Sequence, residues 1–93
     1  MPEAYGTRRL HLTALDVGQG DAILVQTPAG EQILIDGGPD GPTLLAALGR
    51  HMPFWDSRLD AVVATHDDGD HITGLFAALA RYRVDRVIDP GFD

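Results

Sequence analysis

Residues Thr65-His66-Asp67-Asp68-Gly69-Asp70-His71 place five groups able to bind a metal or move a proton within seven positions. His66, Asp68, Asp70 and His71 make the pattern H-x-D-x-D-H. In a turn after a strand, residues 66 and 68 can point toward one cation. As the chain enters a helix, residues 70 and 71 can reach a second cation beside it. Two divalent cations about 3.5–4 Å apart clamp the attacking and leaving oxygens of a displaced phosphate or ester, and lower the pKa of a bound water toward neutrality. Without a cation, the neighbouring carboxylates of Asp67, Asp68 and Asp70 repel one another; with one, that repulsion becomes attraction.

A plainer reading also fits part of the cluster. Asp70 can cap a helix over 72–82, and Asp67 and Asp68 can favour its N-terminal dipole. Capping does not account for two flanking histidines, and at Asp70 the two roles are compatible. A calcium loop of the EF-hand type is excluded, because its glycine and closing Glu are not at the required positions.

The elements around the cluster follow from hydropathy. Residues 1–8 read as a lead-in without the apolar core of a signal peptide. Residues 9–17 alternate with a period of two, with Leu10, Leu12, Ala14 and, after a change of register, Val17 apolar; this predicts a strand. Gly18 to Asp21 breaks it. Strands over 22–27 and 32–36 flank Pro28-Ala29-Gly30-Glu31, so 22–36 reads as a hairpin. A glycine-rich loop, 37–42, leads to a helix over 43–51 with Pro42 in its first turn, and Pro53 stops it. Residues 59–65 are nearly all apolar and predict a strand buried on both faces. Ile72, Leu75, Phe76 and Leu79 follow helical spacing, and 84–88 predicts a fifth short strand. The order β-β-β-α-β-α-β is that of a mixed α/β (α+β) sheet, hairpins first and crossovers after.

Ninety-three residues bound this to one small domain, read over 9–93. There is no cysteine, so disulfides and thiolate ligands are excluded and any metal must take His and carboxylate ligands. No apolar run approaches the roughly 20 residues that span a bilayer. The net charge is −7, with seven arginines and no lysine. Such a chain does not draw nucleic acid by its overall field. A phosphate substrate would need local positive charge, which bound cations supply.

The cluster after an apolar strand resembles the signature of the metallo-β-lactamase superfamily, whose usual form has His where Asp68 stands. Ile33-Leu34-Ile35-Asp36-Gly37-Gly38 resembles that superfamily's first motif. Leu15-Asp16-Val17-Gly18-Gln19-Gly20-Asp21-Ala22, with Thr65-to-Leu75, is similar to the ComEC-type metallo-hydrolase domains of bacterial DNA-uptake channels and their stand-alone relatives. The resemblance runs from about residue 9 to 93, with three motifs in order. It implies an αββα sandwich with metals at the strand ends along one edge, and hydrolysis, in the ComEC type of phosphodiester bonds in incoming DNA. It implies His66 and Asp68 as ligands of a first metal, Asp70 and His71 as ligands of a second, Asp70 as the residue orienting or activating the attacking water, and Asp36 as a support behind the metal loop. Asp68 in place of His is a harder ligand and tilts the pair of divalent ions from zinc toward manganese or magnesium; this substitution is usual among ComEC-like members. The family's later ligands, a His, a bridging Asp and a final His, have no counterpart in this order. The chain is thus expected to be the N-terminal half of the domain, inactive alone, needing the other half or associating with itself through exposed strand edges. A ComEC-type parent would be attached to the bacterial inner membrane; a stand-alone relative would be cytoplasmic.

Other residues carry two readings. Gln19 and Asp21, and similarly Asp16, either line the metal edge or belong to a tight turn in which Asp21 satisfies backbone N–H groups. A dinucleotide loop at Gly18-x-Gly20 is excluded, since Ile23 replaces the third glycine and a strand follows. Asp36 is either the family's support or a turn-former before Gly-Gly; the motif order favours the first. His11 reads as a sheet-face residue, and His51 as a helix C-terminal residue suited to the dipole. Arg81, Arg83 and Arg86 read as dipole complement and solvation. Phe54 and Trp55 read as cover for the core edge, with base stacking as the alternative.

Overall fold

The computed structural model describes residues 9–18, 21–52, 56–65 and 69–89, with the side chains of 69–72 left out. The order is β1 (His11–Ala14), β2 (Ile23–Gln26), β3 (Gln32–Ile35), α1 (Gly41–His51), β4 (Arg58–Leu59), β5 (Ala61–Val63), α2 (Gly69–Arg81), β6 (Arg83–Val84) and β7 (Val87–Ile88). The main sheet runs β1-β2-β3-β5-β7, and β4 pairs with β6 apart from it. β1, β2 and β3 are antiparallel neighbours; β3, β5 and β7 are parallel. This is the mixed α/β architecture expected from the sequence.

The β2–β3 hairpin closes as the composition of its loop dictates. Gly30 has φ +91°, and its N–H donates to the Thr27 carbonyl at 2.9 Å. A residue with a side chain would be strained there, so glycine fixes the loop and thereby the register. α1 starts at Asp40, whose carboxylate accepts the Thr43 N–H at 2.9 Å. Pro42 occupies the first turn, Arg50 and His51 the last, and the Met52 N–H closes on the Leu48 carbonyl.

Both helices pack on one face of the sheet. Leu44, Ala47 and Leu48 from α1, and Leu75 and Ala78 from α2, share a single buried cluster with Leu24, Leu34 and Val62. Cross-strand neighbours share a face. The other face therefore carries Leu12 and Ala14 of β1, Ile23 and Val25 of β2, Ile33 and Ile35 of β3, Val63 of β5 and Ile88 of β7. Among the described residues no helix covers it: Leu12, Ile23 and Ile88 are exposed, and Val25, Ile33, Ile35 and Val63 are half-buried.

Three expectations change. The first strand is shorter than 9–17, and its Leu10, Leu12 and Ala14 lie on the open side; Leu15 and Val17, beyond its end, enter the core. The apolar run at 59–65 is two strands that break at Asp60. The Asp60 carboxylate accepts the Gln32 N–H at 2.8 Å, and its own N–H reaches the Gln32 carbonyl at 2.7 Å. β4 thereby leaves the main sheet and β5 stays in it. Val62 is buried on the helix side, whereas Val63 is only half-buried. Likewise 84–88 divides into β6 and β7. Phe54 and Trp55 lie outside the described residues, as do residues 1–8.

Candidate metal centre

The register brings the chemistry to one end of the sheet. Ala14, Ile23, Ile35, Val63 and Ile88 form a single row across all five strands. For the parallel strands β3, β5 and β7 this row is the carboxyl end, where open α/β sheets hold their ligands. One step beyond the row stand Asp36, Ala64 and Asp89, and the β1–β2 connection brings Asp16 and Asp21 to the same edge. Thr65 follows Ala64 and leads into the cluster.

Asp36 is the fixed point of this edge. It is buried, with 4% of its surface exposed, and its φ of +61° lies in the left-handed region. For a residue with a Cβ that conformation costs about 1 kcal/mol. What holds it there is visible. Its N–H donates to the Val63 carbonyl at 2.8 Å. Its Oδ1 accepts the Thr65 N–H at 2.8 Å, and its Oδ2 accepts the Thr65 hydroxyl at 2.5 Å. A buried carboxylate with charge-assisted hydrogen bonds is thus committed to the residue before His66.

The two glycines after Asp36 bear on α2. The Gly74 N–H donates to the Gly38 carbonyl at 2.8 Å. A Cβ on Gly74 would stand 2.0 Å from the Gly37 carbonyl oxygen, and a Cβ on Gly37 would stand 2.6 Å from the Leu75 nitrogen. Two backbones meet here with no room for a side chain.

The expected ligands divide unevenly. His66 and Asp68, like Asp67, lie outside the described residues, and so does Gln19. Asp70 and His71 stand in the first turn of α2, which begins at Gly69. Asp70 is therefore inside the helix, where a carboxylate favours the dipole, and not at a cap before residue 72. Asp16 is exposed and accepts the Gly18 N–H at 3.3 Å, the turn-forming contact of its plainer reading. Asp21 is exposed just before β2. Asp89 also reaches this edge, which hydropathy does not signal: it follows a two-residue strand whose pairing is non-local. Thr65 and Gly74 stand within the motif read from the sequence but carry no assigned role there, although a glycine inside a helical pattern is a recognised sign of close packing.

His11 and His51 are at the other end of the molecule. His11 pairs with Gln26 at the far end of β1, and the His51 carbonyl accepts from the Gln26 amide at 3.5 Å. Arg81 closes α2, its guanidinium 5.5 Å from the Tyr82 ring centroid, in keeping with a structural role. Among the described residues, no three His, Asp or Glu side chains converge on one point.

The donor chemistry of His66, Asp68, Asp70 and His71 fits a divalent cation: imidazole and carboxylate, with no thiolate in the chain. Directly before it in sequence, the hydrogen bonds from Thr65 to buried Asp36 are the kind of outer hydrogen bonding that orients ligands.

Comparison with known families agrees with this arrangement. The profile of the metallo-beta-lactamase superfamily matches residues 15–92, from the end of β1 through β7. No curated protein matches the chain. The superfamily is generally hydrolytic and typically binds divalent metals. With the match spanning most of its length and the sheet edge built as described, the chain belongs to the metallo-β-lactamase superfamily.

Proposed function

We propose that this chain carries the first ligand cluster of a metal-dependent phosphodiesterase of the ComEC type, acting on DNA. His66, Asp68, Asp70 and His71 bind a pair of divalent ions, with manganese favoured over zinc by Asp68. Asp70 also orients the attacking water, and Asp16, Gln19 and Asp21 line the edge. Bound cations supply Lewis acidity and charge neutralisation for a phosphodiester, which an acidic chain of net charge −7 otherwise repels. The observation that carries the reading is the commitment of buried Asp36 to Thr65, directly before the cluster. Strained, buried polar residues of this kind cluster at functional sites.

The test is nuclease activity on single-stranded and duplex DNA with manganese, comparing the gene product that contains this chain with its His66→Ala and Asp70→Ala variants. The reading expects loss of activity by at least a hundredfold in each. Equal activity in all three proteins overturns it.

One observation favours a second reading, in which these residues act as a non-catalytic docking module that needs a complementary half of the domain. The helix-free face of the sheet is aliphatic across all five strands, and contiguous apolar surface of this kind marks a site of association. Titration with manganese and zinc separates the two. Stoichiometric binding of two ions to the 93 residues defeats the docking module; no binding, with self-association seen by light scattering, supports it. Among the described residues no helix is long and apolar enough to cross a membrane, so inner-membrane attachment would come from a ComEC-type parent.

A further inference from the structure

Thr65 and Gly74 bracket residues 66–73, the segment that contains all four candidate ligands. Both bracketing residues are held by one three-residue segment, each by a different part of it. Asp36 takes the N–H and hydroxyl of Thr65; Gly38 takes the N–H of Gly74, and the Gly37 carbonyl lies where a Gly74 side chain would be. Glycine inside a helix costs about 1 kcal/mol relative to alanine. Position 74 accepts that cost, and the close backbone approach is the reason.

We infer that Asp36-Gly37-Gly38 is a positioning clamp that couples the two ends of the 66–73 segment, with Gly74 as the positioning residue through which α2 takes part. Displacing the loop at Gly74 moves Asp36, two residues earlier, and so loosens Thr65. Holding the two described residues that flank the candidate ligands on one element is the ordinary route by which preorganisation would raise affinity. The metal consequence rests on the proposed ligand role of the cluster; the mechanical coupling does not.

The test separates the two. Amide hydrogen exchange is measured on the full chain and on Gly74→Ala, with no metal added. The clamp expects the Thr65 amide to exchange at least tenfold faster in the variant, while the Leu24 and Leu34 amides of the central strands stay within about twofold. Unchanged Thr65 exchange overturns the coupling. If Gly74→Ala does not fold, Thr65→Val is read at the Gly74 amide instead, since coupling between two positions is reciprocal; no change there overturns it equally. Manganese(II) is then titrated into the wild-type chain and the variant. At least tenfold weaker binding by Gly74→Ala is expected, and equal affinity overturns the clamp's service to the metal. If the wild-type chain takes up no manganese, the ligand reading fails, and the exchange experiment still decides the clamp.

Discussion

Asp36 binds Thr65 through both oxygens of its carboxylate, one on the backbone N–H and one on the hydroxyl, across 29 residues of sequence. The ends of β3 and β5 are thereby tied beyond the last rung of their ladder. Removing the acceptor leaves a partly buried donor without its partner, a loss of about 1–3 kcal/mol. Asp36→Ala should cost about that much, because the strain of a positive φ is common to wild type and variant and cancels. Asp36→Gly should recover about 1 kcal/mol of it. Asp36→Asn, which keeps one acceptor oxygen, should fall between wild type and Asp36→Ala. Urea unfolding of the three variants checks the order; Asp36→Gly no more stable than Asp36→Ala would contradict the strain argument.

The same substitution should have opposite signs in the two helices. A Cβ at Gly49 in α1 meets nothing within 4 Å, whereas at Gly74 in α2 it meets the Gly37 carbonyl. Gly49→Ala should stabilise by about 0.5–1 kcal/mol, through helix propensity and a less flexible unfolded chain. Gly74→Ala should destabilise by about 1–3 kcal/mol, as overpacking does. Thermal melts of both variants test the pair.

Leu12 and Leu24 are near neighbours in paired strands yet face opposite sides of the sheet. Leu12 is 67% exposed and Leu24 fully buried. Leu24→Ala should cost about 2–5 kcal/mol. Leu12→Ser should change stability by no more than about 0.5 kcal/mol, and should reduce binding of a hydrophobic dye and any self-association. A large loss of stability on Leu12→Ser would mean that this face is already covered in solution.

α1 should carry a pH dependence at its start. The hydrogen bonds from the Thr43 hydroxyl and amide hold the Asp40 carboxyl below its ordinary value of 3.8. Because the folded value is the lower one, the unfolded chain takes up its proton first. The capping contribution is full above 3.8 and disappears as pH falls through the folded value. In Asp40→Asn this part of the acid dependence should be absent, while Asp40→Ala should lose the cap at every pH. Urea midpoints followed from neutral pH into acid report it, best at low salt, because the group is exposed.

Legibility in the sequence tracked how local the deciding interactions are. The β2–β3 hairpin and α1 could be read because Gly30, Pro42 and the Leu44–Leu48 spacing act within a few residues. The Asp40 cap acts over the same short range, on Thr43 three residues later. The run at 59–65 reads as one strand from hydropathy because its break depends on Gln32, 28 residues away from Asp60. In β1 the period of two showed which residues share a face. It did not show which face the helices would cover, since both carry leucine or valine. At the site, residue types announce the cluster and Asp36, but the contacts of Thr65 and Gly74, and the place of Asp89, depend on the parallel pairing that sets β3, β5 and β7 side by side.

That pairing also sets an order of assembly. The β1–β2–β3 meander pairs strands that are local in sequence, so it can form early and repeatedly. The carboxyl edge cannot, because each parallel neighbour must first bring its strand back across an intervening helix, and long closures slow a folding reaction. Whatever chemistry this edge performs waits for the slowest contacts the chain makes, and a nascent copy would carry its histidines and aspartates unassembled until α2 has docked.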